Sequence, residues 1–289
     1  DFSIIKGTKV LGFSLLFPKV WGVEKLHPKQ RLKKAFDAGV DQIGGETCSN
    51  LLVELVEDGE LSMERIDESC RRVLRDKFAL GLFDNPFVEE SQTTEICGNE
   101  SFVAKGIQAQ RESLVLLKNG TKEPILPLQR GIRVYAENIN PSVLSSYASI
   151  VPKIEDADVA IIRKESPSIT QYRYPYEKLF KQGRLDFKPK EKKRLLNIMN
   201  TVPTIFDLGL DRPAVVPDLS AACAAFTGHF GVEEHVFLDM IFGEFSPTGR
   251  LPMSLPKNMD VVYNHRVDSP IVEEDTLYPF GYGLTYEKI

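Results

Sequence analysis

The side chains best suited to acid–base chemistry are two glutamates in one irregular stretch, Glu165 and Glu177. Glu165 follows the apolar run Ala160-Ile-Ile-Arg163, beside the end of an expected strand. Glu177 lies among Tyr174, Tyr176 and Phe180. Burial among such rings raises a carboxyl pKa and suits the group to donate a proton. On a solvated surface either residue is an ordinary exposed glutamate. Trp21 is the only tryptophan, and its ring can stack on a flat ligand face or pack in a core. The cysteines Cys48, Cys70, Cys97 and Cys223 form no C-x-x-C pair, and the histidines His27, His229, His235 and His265 are scattered. That spacing predicts no metal site, and no cofactor is expected.

These residues need a scaffold, and 289 residues at about 150 per domain suggest two domains. An apolar content of 42% supports a real core. Lysines and arginines number 36 against 41 acidic residues, a net charge of −5 with no basic stripe, which argues against a nucleic-acid partner. No apolar stretch approaches the roughly 20 residues needed to cross a bilayer. Asp1 opens no charged-then-apolar leader, so a soluble chain without a visible signal peptide or membrane contact is expected, its compartment left open.

The first part alternates strand and helix. Val10 to Phe17 and Val40 to Gly45 read as strands, and Pro28 to Ala38 and Leu51 to Val56 as helices. Ser62 caps a long helix that Gly81 ends. Its apolar stripe, Ile66, Cys70, Val73, Leu74 and Phe78, is expected to be buried, with Cys70 a small core residue. A turn at Gly81 to Pro86 and the polar run Glu89 to Asn99 follow as a linker. Beyond it, Ser113–Lys118, Ile132–Glu137, Val159–Arg163 and Thr204–Leu208 are expected strands. Pro189–Met199 and Glu233–Phe242 are expected helices, the second closed by Gly243. Strands apolar on both sides predict an α/β domain with a mainly parallel sheet covered on two faces.

Several ordered motifs resemble glycoside hydrolase family 3, the exo-acting β-glycosidases. They are Ala38-Gly-Val-Asp41, Leu55-Val-Glu-Asp-Gly59 with Arg71-Arg-Val-Leu74 and Phe78-Ala-Leu-Gly-Leu-Phe83, and Ala109-Gln-Arg-Glu-Ser-Leu-Val-Leu-Leu-Lys-Asn119. The last two are Ser246-Pro-Thr-Gly-Arg-Leu-Pro252 and Tyr278-Pro-Phe-Gly-Tyr-Gly-Leu-Thr-Tyr286. Their glycines and prolines suit turns and stiff connections, and they mark the scaffold rather than the chemistry. The resemblance implies a (β/α)8-type barrel joined to an α/β sandwich domain, with the substrate between them. It implies domains at 1–85 (the C-terminal units of the barrel), 86–100 (linker) and 101–289 (α/β sandwich). It also implies retaining hydrolysis of β-glucosides or β-xylosides by two carboxylates.

Two departures qualify that implication. A barrel takes about 250 residues, and the first part holds two or three of its units, so a separate chain or second copy completing the barrel is an implied partner. The family's nucleophilic aspartate follows a strand, in a frame matched here by Gly12-Phe13 and Phe17-Pro-Lys-Val-Trp21. Lys19 falls at that position, and no carboxylate occurs between Asp1 and Glu24. Glu24 and Glu46 are the nearest alternatives, and Trp21 is the expected sugar-stacking wall. By the same resemblance the acid/base comes from the stretch holding Glu165 and Glu177. The open readings are a β-glucosidase or β-xylosidase, a non-catalytic carbohydrate-binding or partner subunit or inactive fragment, and a general α/β binding domain.

Overall fold

A computed structural model describes residues 5, 8–10, 13–16, 22–168, 181–266 and 268–286. The chain separates into two compact units, Asp1–Thr93 and Thr94–Ile289.

The first unit opens with strands β1 (Thr8–Val10) and β2 (Phe13–Leu16), paired antiparallel. Three helices follow, α1 (Pro28–Asp37), α2 (Ser49–Glu57) and α3 (Met63–Ala79). Leu32, Phe36, Leu55 and Leu61 are buried among them. Arg65 of α3 ties the helices together. Its guanidinium donates to the carbonyls of Phe36 and Val40 and to Asp41 Oδ1, at 3.1–3.3 Å. Ser69 donates to the same carboxylate at 2.8 Å, and these donors with Arg72 hold the Asp41 carboxyl below its ordinary value. Asp41 is thereby a structural anchor.

Three expectations fail in this unit. The single strand read over Val10–Phe17 is an antiparallel pair. Val40–Gly45 carries only an isolated bridge at Gly44. Strands of a barrel are paired in parallel through long crossovers. Among the described residues this unit contains no parallel strand pair. The stripe on α3 is the third. Ser62 does cap the helix, accepting from Arg65 N at 3.2 Å, and Gly81 does end it at φ +68°. Ile66 packs on the core, but Cys70 is exposed and Leu74 and Phe78 are 41% and 65% exposed. The periodicity marked a helix face correctly, but its cover thins past the buried Ser69: Val73 is half-buried and the later positions are exposed.

The second unit begins with α4 (Thr93–Ile96) at the junction, then α5 (Glu100–Ser113), capped by the Asn99 side chain. Strands β3 (Val115–Asn119) and β4 (Arg133–Glu137), helix α6 (Pro141–Leu144) and strands β5 (Ser149–Ile150) and β6 (Val159–Lys164) come next. They are followed by α7 (Pro189–Thr201), β7 (Thr204–Gly209), α8 (Pro217–Ala222), β8 (Ala225–His229) and α9 (Glu234–Ile241). The six strands lie in the order β3-β8-β7-β6-β4-β5. All pairs are parallel except β3 with β8.

Alternation along the strands builds two cores. Leu116, Val134, Ile161 and Ile205 face α9, meeting Val236, Phe237 and Met240. Leu117, Ile162, Phe206 and Phe226 face the other way, onto Leu195, Ile198 and Met199 of α7 and Leu219 of α8. Both faces of the sheet are covered, as the strand composition required. Strand β8 was not anticipated. Its Thr227 and His229 are polar, and their partners become visible only in three dimensions.

The chain ends with β9 (Leu255–Pro256), α10 (Met259–Asn264) and β10 (Thr276–Tyr278), the two strands paired antiparallel. Two tail segments fasten to the β3 side. Gly249 N donates to Leu114 O at 3.2 Å and Leu284 N to Leu116 O at 2.7 Å. A Cβ on Gly249 would meet Leu114 O at 2.4 Å, and one on Gly283 would meet Gly249 O at 2.3 Å. Gly249 therefore serves close backbone approach rather than the tight turn expected of it, while Gly281, at φ +79°, does serve a turn. Among the described residues no helix is long and apolar enough to cross a membrane.

Candidate functional site

From β4 the chain moves outward to β5, then returns to place β6 on the other side of β4. In open α/β sheets, ligands bind outside the carboxyl ends of the strands at such a reversal. A cavity of about 860 Å³ opens at that place. Asn138 after β4, Arg163 to Ser168 at the end of β6, and His229 with Gly231 after β8 line it.

Its floor is a buried polar network where the strand pattern would put apolar side chains. Arg163 Nε donates to Asp207 Oδ2 at 2.9 Å, and Nη2 to the Val232 carbonyl at 2.6 Å. Thr227 Oγ1 donates to Asp207 Oδ1 at 2.7 Å. Asp207 is fully buried. Burial pushes its carboxyl up, against the pull of Arg163 and Thr227. The Gly231 amide donates to His229 Nδ1 at 3.3 Å, which assigns the ring proton to Nε2. That Nε2 lies 3.5 Å from Asp207 Oδ2, and among the described residues it is a buried nitrogen without a hydrogen-bond partner.

The rim is charged. Glu165 Oε2 pairs with Lys181 at 2.6 Å, and Lys181 also reaches Asp211 Oδ1 at 3.1 Å. Burial lowers the Lys181 ammonium, but Glu165 and Asp211 outweigh it and leave it raised. Ser166 donates to Asp211 at 2.6 Å. Arg212 fixes both flanks of this region, donating to Pro167 O at 2.9 Å, Gln182 O at 3.1 Å and Gly183 O. On the far side, Lys164 pairs with Glu191 at 2.8 Å, and Arg194 bridges Glu191 and Glu137. The Arg194 hydrogen bond, opposed by burial and helped by Lys164, holds the Glu191 carboxyl at about 2.

Of the residues singled out from sequence, Glu165 stands at this rim. Its side chain is 73% exposed and ion-paired. Glu177, Lys19 and Trp21 lie outside the described residues. Glu24 and Glu46 belong to the first unit. Glu24 accepts from Gly22 N at 3.0 Å, and hydrogen bonds from backbone amides, its own first, hold its carboxyl low. Glu46 Oε1 accepts from Ile5 N at 2.6 Å. The floor residues Arg163, Asp207 and His229 were not foreseen as a group. Their signal was a charged side chain inside each of two otherwise apolar strands. Among the described residues no cluster of histidine, cysteine and acidic side chains could hold a metal ion.

Residues 145–286 match the glycosyl hydrolase family 3 C-terminal domain. That match assigns residues 145–286 to the C-terminal domain of this family. It is 40% identical over 291 residues to Beta-glucosidase C of Emericella nidulans, covering 99% of this chain and 46% of the relative. It is 36% identical to a periplasmic beta-glucosidase/beta-xylosidase of Dickeya chrysanthemi, covering 92% of this chain and 41% of that one. The chain thus spans about half the length of the curated relatives it matches. Its fold is similar to that of a β-glucosidase from Listeria innocua solved with glucose, with a TM-score of 0.62 and 22% identity. That match covers 91% of this chain and 44% of the other.

Proposed function

We propose that this chain provides the α/β-domain side of a retaining β-glucosidase-type site, its cavity taking the sugar of a β-glycoside. The observation that carries the reading is a cavity at the carboxyl ends of the sheet, rimmed by Glu165, in a β-glucosidase-like chain. In that reading residues 1–85 belong to the barrel side, 86–100 link, and 101–289 cover the sugar.

Retention requires two carboxyl groups about 5–5.5 Å apart. Glu165 is the acid/base candidate that protonates the leaving oxygen, with Glu177 the alternative. A protonated lysine at position 19 neither attacks an anomeric carbon nor stabilises an oxocarbenium-like centre. The second carboxylate would come from Glu24, from Glu46, or from a separate chain or second copy. Trp21 would stack on the sugar. Lys19 also favours a second reading, a non-catalytic sugar-binding subunit.

The test is turnover of aryl β-glucoside and aryl β-xyloside by the purified chain, by a Lys19→Asp variant and by that variant carrying Glu165→Gln, with glucose binding measured by calorimetry. Turnover only in Lys19→Asp, lost again with Glu165→Gln, is the expected result. Turnover in the natural chain would assign the nucleophile to Glu24 or Glu46. Sugar binding with no turnover in any variant would support the binding subunit. Neither binding nor turnover would overturn both readings.

A further inference from the structure

Arg163 is only 9% exposed, yet it lines the cavity. Its Nε and Nη2 are committed to Asp207 and Val232, and its guanidinium carbon lies 5.3 Å from the centre of the Phe237 ring. Among the described residues Nη1 has no hydrogen-bond partner and is not sealed from solvent. The strand end itself is pinned. Asn138, at φ +58°, donates from Nδ2 to the Arg163 carbonyl at 2.7 Å. A guanidinium held on two edges is a preorganised donor on its third.

Two lining residues meet over the end of β7, where a Cβ on Gly209 would lie 3.2 Å from Glu165 Oε2 and 3.5 Å from His229 Cε1. A larger residue at Gly209 would press on both the rim carboxylate and the floor imidazole. Charges around the cavity are paired. Lys164 pairs with Glu191, Glu165 with Lys181 and Asp186 with Arg184, and Asp207 lies beneath Arg163. A wall of mutually satisfied charges suits a neutral molecule rich in hydroxyl groups.

We propose that Arg163, braced by Asp207 and Val232, donates from Nη1 to a hydroxyl oxygen of a neutral sugar seated in the cavity beside Glu165 and His229. The proposal rests on the β-glycoside reading above and names the group in this domain that grips the sugar.

The test uses the full chain with glucose, and glucuronate as the anionic comparison. Calorimetry is run on the natural chain, on Arg163→Lys and on Gly209→Ala, with a thermal melt of each. Arginine side-chain signals of the 15N-labelled natural chain are followed by NMR during the glucose titration. The Arg163 signal is expected to shift and saturate with glucose, and Arg163→Lys to bind at least tenfold more weakly. Gly209→Ala, which leaves the Arg163–Asp207 pair intact, should also bind more weakly while melting as the natural chain does. Glucose binding with an unmoved Arg163 signal and unchanged affinity in both variants would overturn the proposal and leave the β-glycoside reading standing. Tighter binding of glucuronate than of glucose would overturn it as well. No binding of any sugar to the natural chain would overturn both.

Discussion

Gly209 and Glu165 belong to neighbouring strand ends, and a methyl group on the glycine would come within 3.2 Å of the glutamate Oε2. The obstructing atom is the tip of an exposed side chain, so it can yield. Gly209→Ala should cost less than about 1 kcal/mol of stability while lowering glucose affinity several-fold. Melts beside calorimetric titrations check both halves, and an unchanged affinity would show that the sugar does not reach the end of β7.

Gly249 and Gly283 have no such freedom. A Cβ on either would strike a backbone carbonyl at 2.3–2.4 Å, and backbone cannot swing aside. Gly249→Ala and Gly283→Ala should each cost about 2–3 kcal/mol. Gly131 is the contrast, at φ +82° with nothing within 4 Å of its Cβ position. Gly131→Ala should cost nearer 1 kcal/mol, from backbone strain alone. Urea midpoints of the three variants should fall in that order.

The buried network predicts an asymmetry between hydroxyl and charge. Thr227→Val removes one donor from a buried carboxylate and should cost about 2 kcal/mol, with Thr227→Ser retaining most of it. Asp207→Ala leaves the Arg163 guanidinium without its counter-charge and should cost about 3–5 kcal/mol. Equal losses in urea denaturation would contradict the ion pair as the dominant element.

Acid sensitivity follows from Glu191. Its carboxyl is depressed from 4.5 to about 2 in the folded chain, first by the Arg194 hydrogen bond. A depressed carboxyl stabilises the fold fully above its unfolded value. That contribution fades as pH drops from about 4.5 towards 2. Partial exposure, 31% of the side chain, screens the effect and keeps it modest. Glu191→Gln should therefore be less stable than the natural chain at pH 7, and the gap should narrow at pH 3 without closing. Denaturation at pH 7, 4 and 3 checks the sign.

The sequence patterns read most clearly where packing was simplest. Ile161 with Ile205 and Ile162 with Phe206 point to opposite apolar layers, so β6 and β7 showed as unbroken apolar runs. Strand β8 did not, because Thr227 and His229 replace apolar residues with partners for Asp207, and its Gly228 makes room for Leu210 Cδ1. The α3 stripe failed differently. Period alone cannot say how far along a helix a cover extends, and Cys70, Leu74 and Phe78 lie past its end. At the site, Glu165 was legible from its place after β6. Its ion partner Lys181 was not, because the two meet only through the fold. Asp207 and Arg163 pair between adjacent strands, 44 residues apart in sequence, beyond any local spacing rule.

Arg212 joins three carbonyls, those of Pro167, Gln182 and Gly183, so the chain leaves and rejoins the sheet at two points that one side chain holds in common. Loss of that one side chain would therefore unfasten both points at once, so the two junctions form a single mechanical unit rather than two independent anchors.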